Sequence, residues 1–157
     1  MQIKITLPSI CVIVFGINLG IAEPVVTTWG NSVQGIRLSL TMTNTVADTG
    51  SSIGIVAAIR NSSTNAISLG FTGTPTDFDL VLAGGGGKLY HLIPPNDIDL
   101  ATTVMIISPE QQRAWTISVT LEKNIKPGGY TLNAIRNFVV KHEHFKLVSN
   151  SLKVQIK

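Results

Sequence analysis

The 157-residue chain has one cysteine, Cys11, so it can form no internal disulfide. Cys11 lies inside an apolar N-terminal run, and the residues before it, Pro8-Ser9-Ile10, do not suit a lipoprotein site. Beyond that run there is no thiol chemistry and no covalent staple, so the fold must stand on its core. Aromatic residues make up 6% of the chain and are not interleaved with its basic residues, which argues against nucleic-acid binding. No stretch repeats apolar residues at helical spacing, so no amphipathic helix is expected. No serine stands in a G-x-S-x-G elbow, and no cofactor motif is present. The chain reads as a non-enzyme.

The N-terminus reads as a processing segment. Met1 to Lys4 is short and basic, Ile5 to Leu19 is almost wholly apolar, and Gly20-Ile21-Ala22 offers small residues to a signal peptidase. The apolar run is broken by Pro8 and Asn18 and falls short of the roughly 20 residues a spanning helix needs. Residues 1–22 are therefore expected to be a signal peptide, cleaved before Glu23. Residues 23–157 form one domain, secreted or periplasmic, with no membrane span after cleavage. The first hundred residues of that domain carry four basic residues (Arg37, Arg60, Lys88, Arg113). Lys123 to Lys157 holds seven, against Glu143 alone as an acid. Strand-alternating lysines of this kind keep an outer face solvated, and they also suit an acidic partner.

What remains is a succession of short strands. Ile36, Leu38, Leu40 and Met42 alternate with Arg37, Ser39, Thr41 and Thr43, the period of a half-buried strand. The run Ile53 to Ile59 predicts a strand buried on both faces. Ile67, Leu69 and Phe71 mark the next, followed by Phe78 to Leu82, a four-glycine tip (Gly84 to Gly87) and Lys88 to Leu92. Thr102 to Ile107 and Arg113 to Glu122 continue the series, with Trp115, Ile117, Val119 and Leu121 inward. A turn on Pro127-Gly128-Gly129 leads to Tyr130, Leu132 and Ala134. The tail from His142 predicts one last strand with Leu152, Val154 and Ile156 on the core side. The expectation is an all-β, immunoglobulin-like antiparallel sandwich of about eight strands.

Few residues suggest a site. The loop Ile93 to Asp99 is stiffened by Pro94 and Pro95 and carries Asn96, Asp97 and Asp99, so it would lose little entropy on docking. It is the candidate partner-binding loop. Asp77/Asp79 and Asp97/Asp99 offer oxygen ligands for calcium, but no calcium loop spacing surrounds them, and Asp77 and Asp79 read as a solvated face flanking a core Phe78. His142 and His144 share strand spacing without a third ligand nearby in sequence. Gly87-Lys88 is followed by Leu89 within a hairpin, so the glycine run is a tip and not a phosphate loop. No metal or other cofactor is expected. Asn61-Ser62-Ser63 is a glycosylation sequon, meaningful only in a eukaryotic secretory pathway. Tyr130 is placed to bond its hydroxyl back to the backbone before its strand, a structural role shared with Trp115 and Phe78 as core aromatics.

Ile55 to Phe71, Asp77-Phe78-Asp79-Leu80-Val81, Gly87-Lys88-Leu89-Tyr90, Ser108-Pro109-Glu110 and Pro127-Gly128-Gly129-Tyr130 occur in a familiar order. In this order the chain resembles the BsuPI-type intracellular proteinase inhibitor family, over roughly Ile53 to Phe138. The resemblance implies an immunoglobulin-like fold and a protein partner, with a protease as one class of partner. It transfers no reactive-site residue. The sequence thus reads as a non-catalytic module that binds a protease or an envelope protein. The alternative is a structural or adhesive envelope component that pairs through an edge strand, with Leu152 to Lys157 as that strand.

Overall fold

The computed structural model describes residues 28–71, 77–92, 103–140 and 143–157. These form an all-β sandwich with no α-helix among the described residues. The strands are β1 (Ile36–Met42), β2 (Val46–Ala47), β3 (Ser52–Asn61), β4 (Ile67–Phe71), β5 (Asp79–Gly84) and β6 (Leu89–Leu92). They continue with β7 (Thr103–Ile107), β8 (Gln112–Thr120), β9 (Gly128–Val140), β10 (Glu143–Val148) and β11 (Leu152–Ile156). One sheet has the order β1-β3-β8. A larger one runs β2-β11-β9-β5-β6, with β10 also on β9, and β4-β7 form a separate pair. Every pairing is antiparallel except that of β2 with β11.

One core joins the inward faces of all three sheets. Leu38, Leu40, Ile55, Ile59 and Ile117 meet Leu80, Leu82, Leu132, Leu147 and Val154, with Leu69 and Ile107 from the small pair. Each fully buried side chain of this size contributes about 1.5–3 kcal/mol. β3 departs in part from the expectation of two buried faces: Ile53, Ile55, Ala57 and Ile59 are buried on one face, while on the other Ala58 is buried, Val56 half-buried and Gly54 exposed. The unbroken apolar run reflects small residues on an outer face, because a two-layer sandwich covers only one side of each sheet.

The tail is two strands and not one. Ser149 Oγ accepts from the Ala134 amide at 2.9 Å and donates to the Asn150 carbonyl at 2.7 Å, which breaks the ladder on β9 between the β10 and β11 segments. The freed Asn150 side chain then acts as a strand partner. Its Oδ1 accepts from the Leu40 amide at 2.7 Å and its Nδ2 donates to the Leu40 carbonyl at 3.0 Å, which caps the edge of β1. β11 is likewise not the open edge expected of Leu152 to Lys157. Its far end is covered by β2, with Gln155 donating to the Thr45 carbonyl and Lys157 to that of Ala47.

A second asparagine fixes the corner where the chain leaves the β1-β3-β8 sheet. Asn61 is fully buried. Its Nδ2 donates to the carbonyls of Asn65 (2.7 Å) and Ile107 (2.9 Å), and its Oδ1 accepts from the amide (2.9 Å) and hydroxyl (2.7 Å) of Ser63. Both amide protons and both acceptor sites are used, so the end of β3, the start of β4 and the end of β7 are tied together. The sequon at Asn61 is therefore a structural knot whose nitrogen has no room for a glycan.

Candidate functional site

At one end of the large sheet the β5–β6 tip and the β8–β9 turn converge on an open cleft of about 460 Å³. Its walls are Gly84, Lys88 and Tyr90 on one side and Lys126, Gly128 and Tyr130 on the other. β5 and β9 place Gly84 directly opposite Tyr130. A β-carbon on Gly84 would stand 2.6 Å from the Tyr130 ring, so only glycine lets that ring lie across the strand. Gly86 and Gly87 turn the tip with φ of 76° and 78°, a region glycine enters without strain.

The aromatic walls are coupled to the cations. The Tyr90 and Tyr130 rings meet edge-on at 6.1 Å, and Lys88 Nζ lies 4.6 Å from the Tyr90 ring centre. The adjoining Tyr90 side chain holds the Lys88 ammonium above its ordinary pKa. Desolvation, then Tyr90, raises the Tyr130 hydroxyl. That hydroxyl donates to the Lys126 carbonyl at 2.7 Å, closing the turn that carries Lys126. The cleft thus presents two tyrosine faces, the Lys88 ammonium, the turn that carries Lys126, and glycine backbone. This set favours an anionic ligand that also has flat or apolar surface.

The loop Pro94 to Asp99 lies outside the described residues, as does His142. His144 is exposed on β10, opposite Val139. Asp79 and His91 meet at 2.8 Å on the outer face. Asp77 does not share that face. It precedes the start of β5, so strand alternation does not govern it, and its carboxylate turns inward to within 4.0 Å of Arg136 Nη2 at 10% side-chain exposure. Among the described residues no group of three His, Cys, Asp or Glu is placed to hold a metal ion.

Trp115 and Phe78 belong to an internal cluster. Trp115 packs on Phe71 (4.8 Å) and Phe78 (5.7 Å), and the Arg136 guanidinium lies 3.8 Å from the Phe71 ring centre and 5.4 Å from that of Phe78. Arg136 is 2% exposed and donates to the Gly70 carbonyl at 2.6 Å. Burial lowers its pKa, with Asp77 opposing the shift. Its position was readable: Leu132, Ala134, Arg136 and Phe138 keep one inward register along β9. Asn61 and Asn150 had no such signal, since their partners are distant backbone groups.

No family model and no curated protein matches this sequence. Among solved structures, the chain is similar to a β-glucosidase from Listeria innocua in complex with isofagomine, with a TM-score of 0.46 and 13% identity. That likeness covers 77% of this chain and 16% of the glucosidase, so the chain spans a small part of that protein. It is also similar to the C-terminal domain of wzt, with a TM-score of 0.49 and 8% identity over 84% of this chain and 78% of that one. A third likeness is to the alkylpurine DNA glycosylase AlkC of Pseudomonas fluorescens, with a TM-score of 0.46, 12% identity, and coverage of 80% and 31%. Likenesses this weak say nothing of activity.

Proposed function

We propose that this is a non-catalytic binding domain, secreted or periplasmic, that engages another protein through the Tyr90/Tyr130 cleft. The observation that carries the reading is the cleft itself, where Lys88 and Lys126 flank two partly buried tyrosine faces at a loop end of a rigid sandwich. Tyrosine supplies large contact area with little side-chain entropy to lose, and the two ammonium groups select an acidic segment of the partner. Two of the segments that carry the resemblance to proteinase inhibitors, Gly87 to Tyr90 and Pro127 to Tyr130, are the two walls of this cleft. A protease is accordingly one class of partner and an acidic envelope protein another.

The test is a pull-down from the host's secreted and envelope fractions with the wild-type protein and with the Lys88→Glu/Lys126→Glu variant. Both lysines are exposed, so the variant should fold as the wild type does. A partner held by the wild type and lost by the variant supports the cleft, and inhibition assays against a panel of serine proteases then decide the class. Equal capture by both proteins would remove the cleft from the interface.

A further inference from the structure

We propose that the open edge of β8 pairs with the same edge of a second copy of this chain. The pairing is antiparallel and centred on Ile117, and it joins two three-stranded sheets into one of six. β8 is the last strand in the order β1-β3-β8, and β3 is the strand it pairs with. Among the described residues no strand covers its other edge. The neighbouring edges are closed: β1 by Asn150 and by the Gly30 amide donating to the Leu38 carbonyl, and the end of β11 by β2. With nine residues β8 is longer than the other sheet-edge strands β4, β6, β7 and β10.

Edges of this length are normally guarded by proline, lysine or a bulge. β8 has no proline and a single charge, Arg113, near its start. Its outward residues Ala114, Thr116, Ser118 and Thr120 are small and exposed, so nothing bulky blocks a second strand.

Charge and pleat choose the occupant and the register. Residues directly opposite in an antiparallel pair point to the same face, so a two-fold pairing that keeps core residues inward must centre on a single residue. Centred on Thr116, it brings Glu122 of one copy to the turn holding Glu110 of the other. Centred on Ser118, it sets Arg113 opposite Lys123. Like charges opposite one another destabilise a ladder. Centred on Ile117, it sets Trp115 opposite Val119 and Thr116 opposite Ser118, and brings Gln112 of one copy to Glu122 of the other, two residues past the end of β8. That register has no charge conflict and lets each Glu122 carboxylate accept from a glutamine amide. The contact is isologous and closes at two copies, which keeps an unguarded edge from propagating into fibres.

This inference is independent of the cleft. Its test is sedimentation equilibrium of the purified protein across a concentration series, with three variants at exposed positions. Gln112→Lys creates two ion pairs with Glu122 across the two-fold and should tighten the dimer about fivefold. Gln112→Glu sets acid against acid and should weaken it about fivefold. Gln112→Glu/Glu122→Lys sets two ion pairs with the signs exchanged and should restore association to at least the wild-type level, close to that of Gln112→Lys. Thermal stability provides the control, because Gln112 also lies opposite Arg60 within its own sheet. Arg60 is already paired with Glu110 there, so each change should leave the melting temperature of the dilute, monomeric protein nearly unmoved. A wild-type protein that stays monomeric to about 1 mM would overturn the proposal. So would a dimer indifferent to the three variants, or one the double variant fails to restore.

Discussion

Replacing Asn61 is the sharpest test of how this fold is held. Asn61→Ala removes four hydrogen bonds from a side chain with no solvent exposure. Each such bond is worth about 1 kcal/mol net. The four are not equal. Once Asn61 is gone, the Ser63 hydroxyl proton it accepted can turn to the Asn65 carbonyl, 2.9 Å from Oγ, and the Ser63 groups are partly exposed and can turn to water. The Ile107 carbonyl bond is buried and has no such recourse. The expected loss is about 2–3 kcal/mol. Asn61→Asp is worse, roughly 3–5 kcal/mol, because a buried charge then faces two carbonyl oxygens in place of two donors. Ser63→Ala removes the same sequon but sacrifices only a partly exposed hydroxyl, for about 1 kcal/mol. Urea unfolding with an unchanged m-value measures all three. A loss under about 0.5 kcal/mol for Asn61→Ala, or equal losses for Asn61→Ala and Ser63→Ala, would refute the reasoning. So would a folded, glycosylated Asn61 in protein made through a eukaryotic secretory pathway, read by intact mass.

The remaining predictions concern the cleft and the internal arginine. Gly86→Ala and Gly87→Ala should each cost about 1 kcal/mol for a side chain at positive φ, while Gly85→Ala, with open space and ordinary backbone, should be neutral by thermal melting. Equal effects at all three positions would contradict the tip geometry. Because Lys88 and Tyr130 hold their protons more tightly folded than unfolded, stability should be full below about pH 10 and fall as pH rises past it. Tyr130→Phe should flatten that decline, and an unaltered pH profile would count against the assignment. Arg136→Ala should cost about 3 kcal/mol and shift Trp115 emission, since the ring's neighbours Phe71 and Phe78 lose the guanidinium they pack on. An unchanged spectrum would place the arginine outside that cluster.

The all-β class was legible in the sequence because alternation is a local property. Ile36 to Met42 and Trp115 to Leu121 show their inward faces residue by residue, and turn residues punctuate the strands. Tyr130 was readable for the same reason, its hydroxyl reaching only four residues back, to Lys126. Pairing is different, because it depends on which distant strands lie side by side. Sequence marked Leu152 to Lys157 as an edge, yet β2, more than a hundred residues earlier, covers its end. Asn61 and Asn150 looked like turn residues, and only their distant partners, Ile107 and Leu40, make them structural. The two glycine-bearing turns were both visible as turns. That they face each other across a cleft follows from β9 lying beside β5, which sets Tyr130 against Gly84. Local spacing therefore determined the strands and their inner faces. The order of strands, which only packing decides, determined the open edge and the site.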